Sequence, residues 1–232
     1  MGAKLMSKLY IVHGWTYKPE PWEEVIKVLK DKYKIEAKLL RVPGLGTKSD
    51  DSFTIEDYVE WATKNIPKGS IALGHSNGGR ILLKMLELKG SDYLKGLILF
   101  DAAGVYEPSK KNDISRILSK TFSPLKKSKF ARNLVHSLLG VHDYNDAPEN
   151  MKVTMTNMLE ADKTIDFSKI TTKTRLVWGS EDKLTPLRQG KKMHELLKNS
   201  TLTVKEGWRH SHYLQSIDET AAEVAAQYEE LK

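Results

Sequence analysis

Ser70-Ile-Ala-Leu-Gly-His-Ser-Asn-Gly-Gly-Arg-Ile-Leu-Leu-Lys-Met-Leu-Glu-Leu88 reads as a strand, a sharp turn and a helix. Residues 70–73 are a short apolar run, and residues 78–88 carry helical periodicity. Between them Gly74-His75-Ser76-Asn77-Gly78 fits the pattern G-x-S-x-G. In that setting the turn lifts Ser76 above the edge of a sheet in strained geometry. Glycine is needed on both sides because a Cβ there would collide with the neighbouring strand and helix. The start of the helix directs free N–H groups and a positive dipole end at any negative charge that develops beside the serine.

The same unit recurs on either side of this stretch. Residues 9–12, 35–42, 97–100, 174–178 and 201–204 read as further strands, and residues 22–29, 55–66, 187–197 and 217–231 as amphipathic helices. Short apolar runs alternating with helices, separated by Gly or Pro turns, predict a mostly parallel sheet of about six strands with helices on its faces, an α/β architecture. The rhythm breaks between 104 and 168. That stretch is far longer than an ordinary strand-to-helix connection and contains helix-like segments at 114–118, 130–139 and 151–159 but no convincing strand. It is expected to be an inserted helical cap, dividing the chain into a core of residues 1–103 and 169–232 and a cap of residues 104–168.

Composition excludes several classes. The 232 residues contain no cysteine, so disulfides, thiolate metal sites and a cysteine nucleophile are ruled out. A chain of this length buries roughly 70% of its unfolded surface without such staples. No apolar stretch approaches the roughly 18 residues of a membrane helix, and residues 1–8 lack the apolar run of a signal peptide. A cytoplasmic, unprocessed protein is expected. The net charge of +7 is concentrated in one place: residues 107–132 carry eight basic side chains (Lys110, Lys111, Arg116, Lys120, Lys126, Lys127, Lys129, Arg132) against Glu107 and Asp113. A charge confined to the first part of the cap reads as a local feature, and no nucleic-acid partner is expected.

A serine hydroxyl is a weak nucleophile and needs a base, which in turn needs an orienting carboxylate. Asp182 follows the strand at 174–178 in Gly179-Ser-Glu-Asp182-Lys-Leu-Thr-Pro186, and His210 follows the strand at 201–204 in Gly207-Trp-Arg-His210-Ser-His212. Both emerge at the carboxyl ends of strands, where open α/β sheets build their sites. Asp182 has rivals in Glu181 and Asp101, and His210 has one in His212. Donors for an oxyanion are expected from the backbone N–H groups of Asn77 and of Trp15, in the turn His13-Gly14-Trp15 after the first strand. His13 is read as structural. The other histidines lack metal-ligand spacing. Gly44-Leu-Gly46-Thr-Lys-Ser49 has Ser where a dinucleotide loop needs its third Gly, and no P-loop occurs. Neither metal nor cofactor is expected.

Taken together, His13-Gly14-Trp15, the Pro43-Gly44-Leu45-Gly46 turn, Gly74-His75-Ser76-Asn77-Gly78-Gly79, Gly179-x-x-Asp182-x-x-x-Pro186 and Gly207-x-x-His210 give a sequence that resembles the α/β-hydrolase superfamily, in particular its lidded esterase- and lipase-like members. The likeness covers residues 8–103 and 170–232. It implies a Ser76–His210–Asp182 triad working through an acyl-enzyme without cofactor, and it favours His210 over His212. Two departures stand out: the antiparallel strands that usually precede the first strand are absent, which implies a minimal sheet, and Asn77 replaces the more usual Met, Leu or Gln. The expected activity is hydrolysis of a small carboxylic ester. Thioesterase, lactonase, amidase and carbon–carbon bond hydrolase activities share the triad, and a non-catalytic protein using the basic cap to bind an anionic partner is a distant alternative. Phe122, Leu125, Phe130, Leu134, Leu138, Leu139, Met155 and Met158 are candidates for the acyl pocket, although their spacing fits the cap's own core somewhat better.

Overall fold

A computed structural model of the chain describes residues 8–107 and 148–232. The expected helices at 114–118 and 130–139, the basic side chains 110–132 and the pocket candidates from Phe122 to Leu139 lie outside the described residues.

Six strands, β1 (Leu9–Val12), β2 (Ala37–Leu40), β3 (Ser70–His75), β4 (Leu94–Phe100), β5 (Thr174–Gly179) and β6 (Ser200–Lys205), form one sheet in the order β2-β1-β3-β4-β5-β6. Every neighbouring pair is parallel. The helices are α1 (Pro21–Tyr33), α2 (Ile55–Asn65), α3 (Asn77–Lys89), α4 (Glu149–Ala161), α5 (Leu187–Leu196) and α6 (Ile217–Glu229). The expected strand at 35–42 is shortened at both ends because turns claim its terminal backbone groups. Lys34 adopts a left-handed conformation that closes α1, with the Ile35 N–H donating to the Leu29 carbonyl (3.1 Å), and the Val42 carbonyl accepts from Leu45 and Gly46.

Alternate side chains along each strand divide between two cores. Tyr10, Val12, Ala72, Leu97, Leu99, Leu176 and Trp178 face a core shared with α2, α3, α4 and α5, whereas Leu9, Ile11, Ile71, Leu73, Ile98, Phe100 and Val177 face one shared with α1 and α6. The helices are stopped and started by local chemistry. Pro21 opens α1 with no N–H to lose. Thr54 and Asp57 form a reciprocal capping box on α2, the Asp57 N–H donating to Thr54 Oγ1 (3.2 Å) and the Thr54 N–H to Asp57 Oδ2 (2.7 Å).

After β1 the chain turns to one side to make β2 and then returns to the other side of β1 to make β3. The carboxyl ends of β1 and β3 therefore border the crevice where strand order reverses, the place at which open parallel sheets offer a binding site. The stretch returning through α4 is fastened to the same end. Asn150 Nδ2 donates to the carbonyls of Ser49 (3.0 Å) and Asp51 (2.8 Å), Asn157 Nδ2 donates to the Phe53 carbonyl (3.0 Å), and Asp162 pairs with Arg80 of α3 through Nε (2.6 Å) and Nη2 (2.9 Å). Among the described residues no helix is long and apolar enough to cross a membrane.

Candidate active site

Ser76 is the residue between β3 and α3, and its backbone adopts φ 51°, a left-handed conformation that a residue with a Cβ occupies only under constraint. The constraint is visible. The Ser76 N–H donates to the Phe100 carbonyl (3.1 Å), and the Ser76 carbonyl accepts from Gly79 (3.0 Å) and Ala103 (3.0 Å). Glycine is obligatory around it for steric reasons: a Cβ on Gly74 would lie 2.6 Å from the Gly79 Cα, and one on Gly78 would run into the Val12 carbonyl. The turn after β1 is pressed against the same point, since a Cβ on Gly14 would come within 2.9 Å of the Ser76 Cβ.

Ser76 Oγ donates to His210 Nε2 (2.9 Å), and His210 Nδ1 donates to Asp182 Oδ2 (2.8 Å). Asp182 is further held by Thr185 Oγ1 on Oδ2 (2.7 Å) and by the Leu184 and Thr185 N–H groups on Oδ1 (2.7 and 3.1 Å). Burial by itself pushes the Asp182 carboxyl up, but the neighbouring His210 and these donors outweigh it and hold the carboxyl below its ordinary value. A buried base bonded at once to the hydroxyl and to an ionised carboxylate can accept the hydroxyl proton and stabilise the resulting imidazolium.

The loops carrying Asp182 and His210 meet because β5 and β6 end side by side without intervening bulk. A Cβ on Gly179 would strike the Trp208 carbonyl, and the Glu181 N–H donates to that carbonyl (3.0 Å). The rivals are placed elsewhere. Glu181 is exposed and pairs loosely with Arg209 (3.5 Å). His212 stacks on Trp208 (3.3 Å between ring centroids) and bonds Thr220 Oγ1 through Nδ1 (2.9 Å), with Glu219 on its other nitrogen (3.3 Å). Asp101 is buried behind Asp182, its Oδ1 accepting from the Gly179 N–H (2.8 Å).

Asn77 opens α3, so its N–H lies among the helix's initial donors that have no intrahelical partner. Its side chain is buried, with Oδ1 accepting from Arg80 Nη1 (2.6 Å). Trp15 is half-buried and packs at the margin of the first core, immediately after Gly14. His13 is wholly buried: Nδ1 donates to the Gly14 carbonyl (2.8 Å) and Nε2 accepts from the Val42 N–H (3.0 Å), which pins the loop after β2 to the loop after β1.

Two residues next to the site escaped the sequence reading. His75 Nε2 donates to the His210 carbonyl (2.8 Å), so the side chain immediately before Ser76 fixes the backbone of the loop carrying His210. Thr185 bonds Asp182 and approaches His210 Nδ1 (3.2 Å). Both lie inside quoted motifs, yet the motifs carry no signal for their approach to His210, which lies 135 positions from His75 and 25 from Thr185. Among the described residues no three His, Asp or Glu side chains are grouped as a metal ion would require.

The sheet order and the strand–turn–helix carrying Ser76 define an α/β protein with that serine at the switch point. The sequence profile of the alpha/beta hydrolase fold family matches residues 9–216, and the chain belongs to that family. Among curated relatives it is similar to an uncharacterized hydrolase, YugF, of Bacillus subtilis (29% identical over 223 residues, 84% of this chain and 80% of that protein). It is also similar to a pimeloyl-[acyl-carrier protein] methyl ester esterase of Neisseria meningitidis (24% over 237 residues, 94% and 91%). Among solved structures it shares its fold with an esterase from Exiguobacterium antarcticum (TM-score 0.70, 18% identity, 97% and 92% of the two chains). A thermophilic esterase from Thermogutta terrifontis is comparable (TM-score 0.68, 15%, 97% and 90%).

Proposed function

We propose that the protein is a serine hydrolase that cleaves carboxylic esters through an acyl-enzyme. The observation that carries the reading is the unbroken line of hydrogen bonds from Ser76 Oγ through His210 to Asp182, set at the start of α3. Ser76 Oγ attacks the ester carbonyl while its proton passes to His210 Nε2. The imidazolium, held by Asp182, delivers that proton to the departing alkoxide as the carbon–oxygen bond breaks. Water then attacks the acyl-enzyme, losing a proton to His210, and the proton returns to Ser76 as the acid leaves. The oxyanion at each stage is held by the N–H groups of Asn77 and Trp15. The cap reading of residues 104–168 is supported at its described end, where α4 is tied to α3 by the Arg80–Asp162 pair. The esterase names carried by two of the relatives support the choice of ester over amide.

A fluorophosphonate probe and a chain-length series of p-nitrophenyl esters test this. Covalent labelling and turnover are both expected in the parent protein and absent in Ser76→Ala. Labelling that survives Ser76→Ala overturns the assignment of the nucleophile. A thioester series in the same assay separates the sister activities, and the proposal fails if thioesters are turned over and oxygen esters are not.

A further inference from the structure

Asp101 follows β4 and is bonded to the loop that carries Asp182. It is almost fully buried (3% exposed) and adopts φ 45°, again a left-handed conformation. Both halves of the residue are tied to the loop that carries Asp182. Its Oδ1 accepts from the Gly179 N–H (2.8 Å), and its backbone carbonyl accepts from Thr185 Oγ1 (2.9 Å), the hydroxyl that also reaches Asp182 Oδ2 (2.7 Å). Thr185 Oγ1 thus bridges the two acidic residues, and the Asp101 carboxyl lies within hydrogen-bonding reach of the Asp182 carboxyl. The titratable group facing this point is Asp182 after β5, itself bonded to His210 after β6, and none of the groups acting on Asp101 is a Lys or Arg.

Two carboxylates in contact, with no cation between them and no water-exposed face, cannot both be ionised. Asp182 has three N–H donors aimed at it, from His210, Leu184 and Thr185, and so keeps the charge. Asp101 has one donor, the Gly179 N–H, and burial together with the charge on Asp182 pushes its carboxyl far up. We propose that Asp101 is a positioning residue: a neutral carboxylic acid whose O–H donates to Asp182, fixing the carboxylate that orients His210 and spreading its charge. This rests on the triad assignment above, although the protonation of Asp101 can be read without it.

The test compares Asp101→Asn, which keeps an acceptor for the Gly179 N–H and a donor for Asp182, with Asp101→Leu, which keeps neither. In Asp101→Leu the charge on Asp182 is more localised, so the acid limb of kcat/KM for a p-nitrophenyl ester is expected to move to higher pH with about a tenfold fall in kcat, and Asp101→Asn is expected to return the limb to its wild-type position. If Asp101 were ionised, Asp101→Asn would remove a negative charge from beside the base and move the limb to lower pH by about one unit or more; that result overturns the proposal, as does a limb that stays fixed in both variants. Infrared spectroscopy at neutral pH provides an arm that needs no turnover and no Leu variant. A protonated-carboxyl band is expected in the wild type, displaced in Asp182→Asn and missing from Asp101→Asn. Its absence from the wild type overturns the proposal even if ester hydrolysis is confirmed, whereas its presence without turnover locates the failure in the ester reading.

Discussion

Ser76, Asp182 and His210 each have an environment suited to one task, and the consequences of replacing them differ. Removing the hydroxyl or the imidazole removes a bond-making group, whereas Asp182→Asn leaves the shape of the site intact but offers an amide where His210 Nδ1 needs an anion. A kcat loss of roughly three to four orders of magnitude is expected for Asp182→Asn, with little change in KM, measured by steady-state turnover of a p-nitrophenyl ester. Reading the residues alone placed these three at strand ends with Glu181, Asp101 and His212 as rivals, and it was the family resemblance that favoured Asp182 and His210. The choice could not be made locally, because His210 and His212 are two residues apart in one loop, and what separates them is that Ser76 waits on one side and Thr220 and Glu219 on the other.

At the scale of the element, the turn between β3 and α3 is where backbone geometry and chemistry are most tightly joined. Gly78→Ala would press a methyl group into the Val12 carbonyl, backbone that cannot swing aside. A loss of about 2 kcal/mol or more in a urea titration is expected, together with lost labelling by the fluorophosphonate probe, since the turn that holds Ser76 must shift. The join between α3 and α4 is electrostatic. Arg80 and Asp162 have side chains only 8% exposed, so Asp162→Ala strands a buried guanidinium. This is expected to cost about 3–5 kcal/mol in the same titration, with Arg80→Met/Asp162→Leu together recovering much of it. A far smaller effect, of about 1 kcal/mol, is expected for Thr54→Ala at the exposed cap of α2. The two partners of that capping box are three residues apart, whereas nothing in residues 80 or 162 announces the other.

For the whole molecule, stability is expected to depend on pH chiefly through buried groups that are held in one protonation state. Burial lowers His13 to about 4 and His75 to about 3, from the ordinary 6.5. Both are therefore neutral in the folded protein at a pH where the unfolded chain would take up a proton, and His13 cannot be protonated at Nε2 without losing the Val42 N–H. The unfolded state binds more protons below 6.5, so this stabilisation is complete above that pH and is lost as pH falls towards 4 and then 3. It is worth roughly 3 to 5 kcal/mol per histidine. Asp101 acts in the opposite sense: raised by burial, it retains a proton that the unfolded chain releases above about 3.8, so its contribution declines as pH rises. The melting temperature should fall steeply between pH 6.5 and 4. Replacing His13 by Gln, with one group to accept from Val42 and one to donate, should flatten that fall; an unchanged slope would mean that His13 is not held neutral.

The sequence by itself determined the sheet-and-helix rhythm, the turn at 74–78 and the presence of one serine, two nearby histidines and three nearby carboxyls at strand ends, because each of these follows from interactions between residues close along the chain. Only the tertiary structure decided which histidine and which carboxyl line up on Ser76, and that His75 holds the loop carrying His210 in place. Those contacts join residues separated by 134, 28 and 135 positions for Ser76–His210, Asp182–His210 and His75–His210. At such separations pairing is set by the order of strands in the sheet and by glycines that let neighbouring loops touch, not by local propensity.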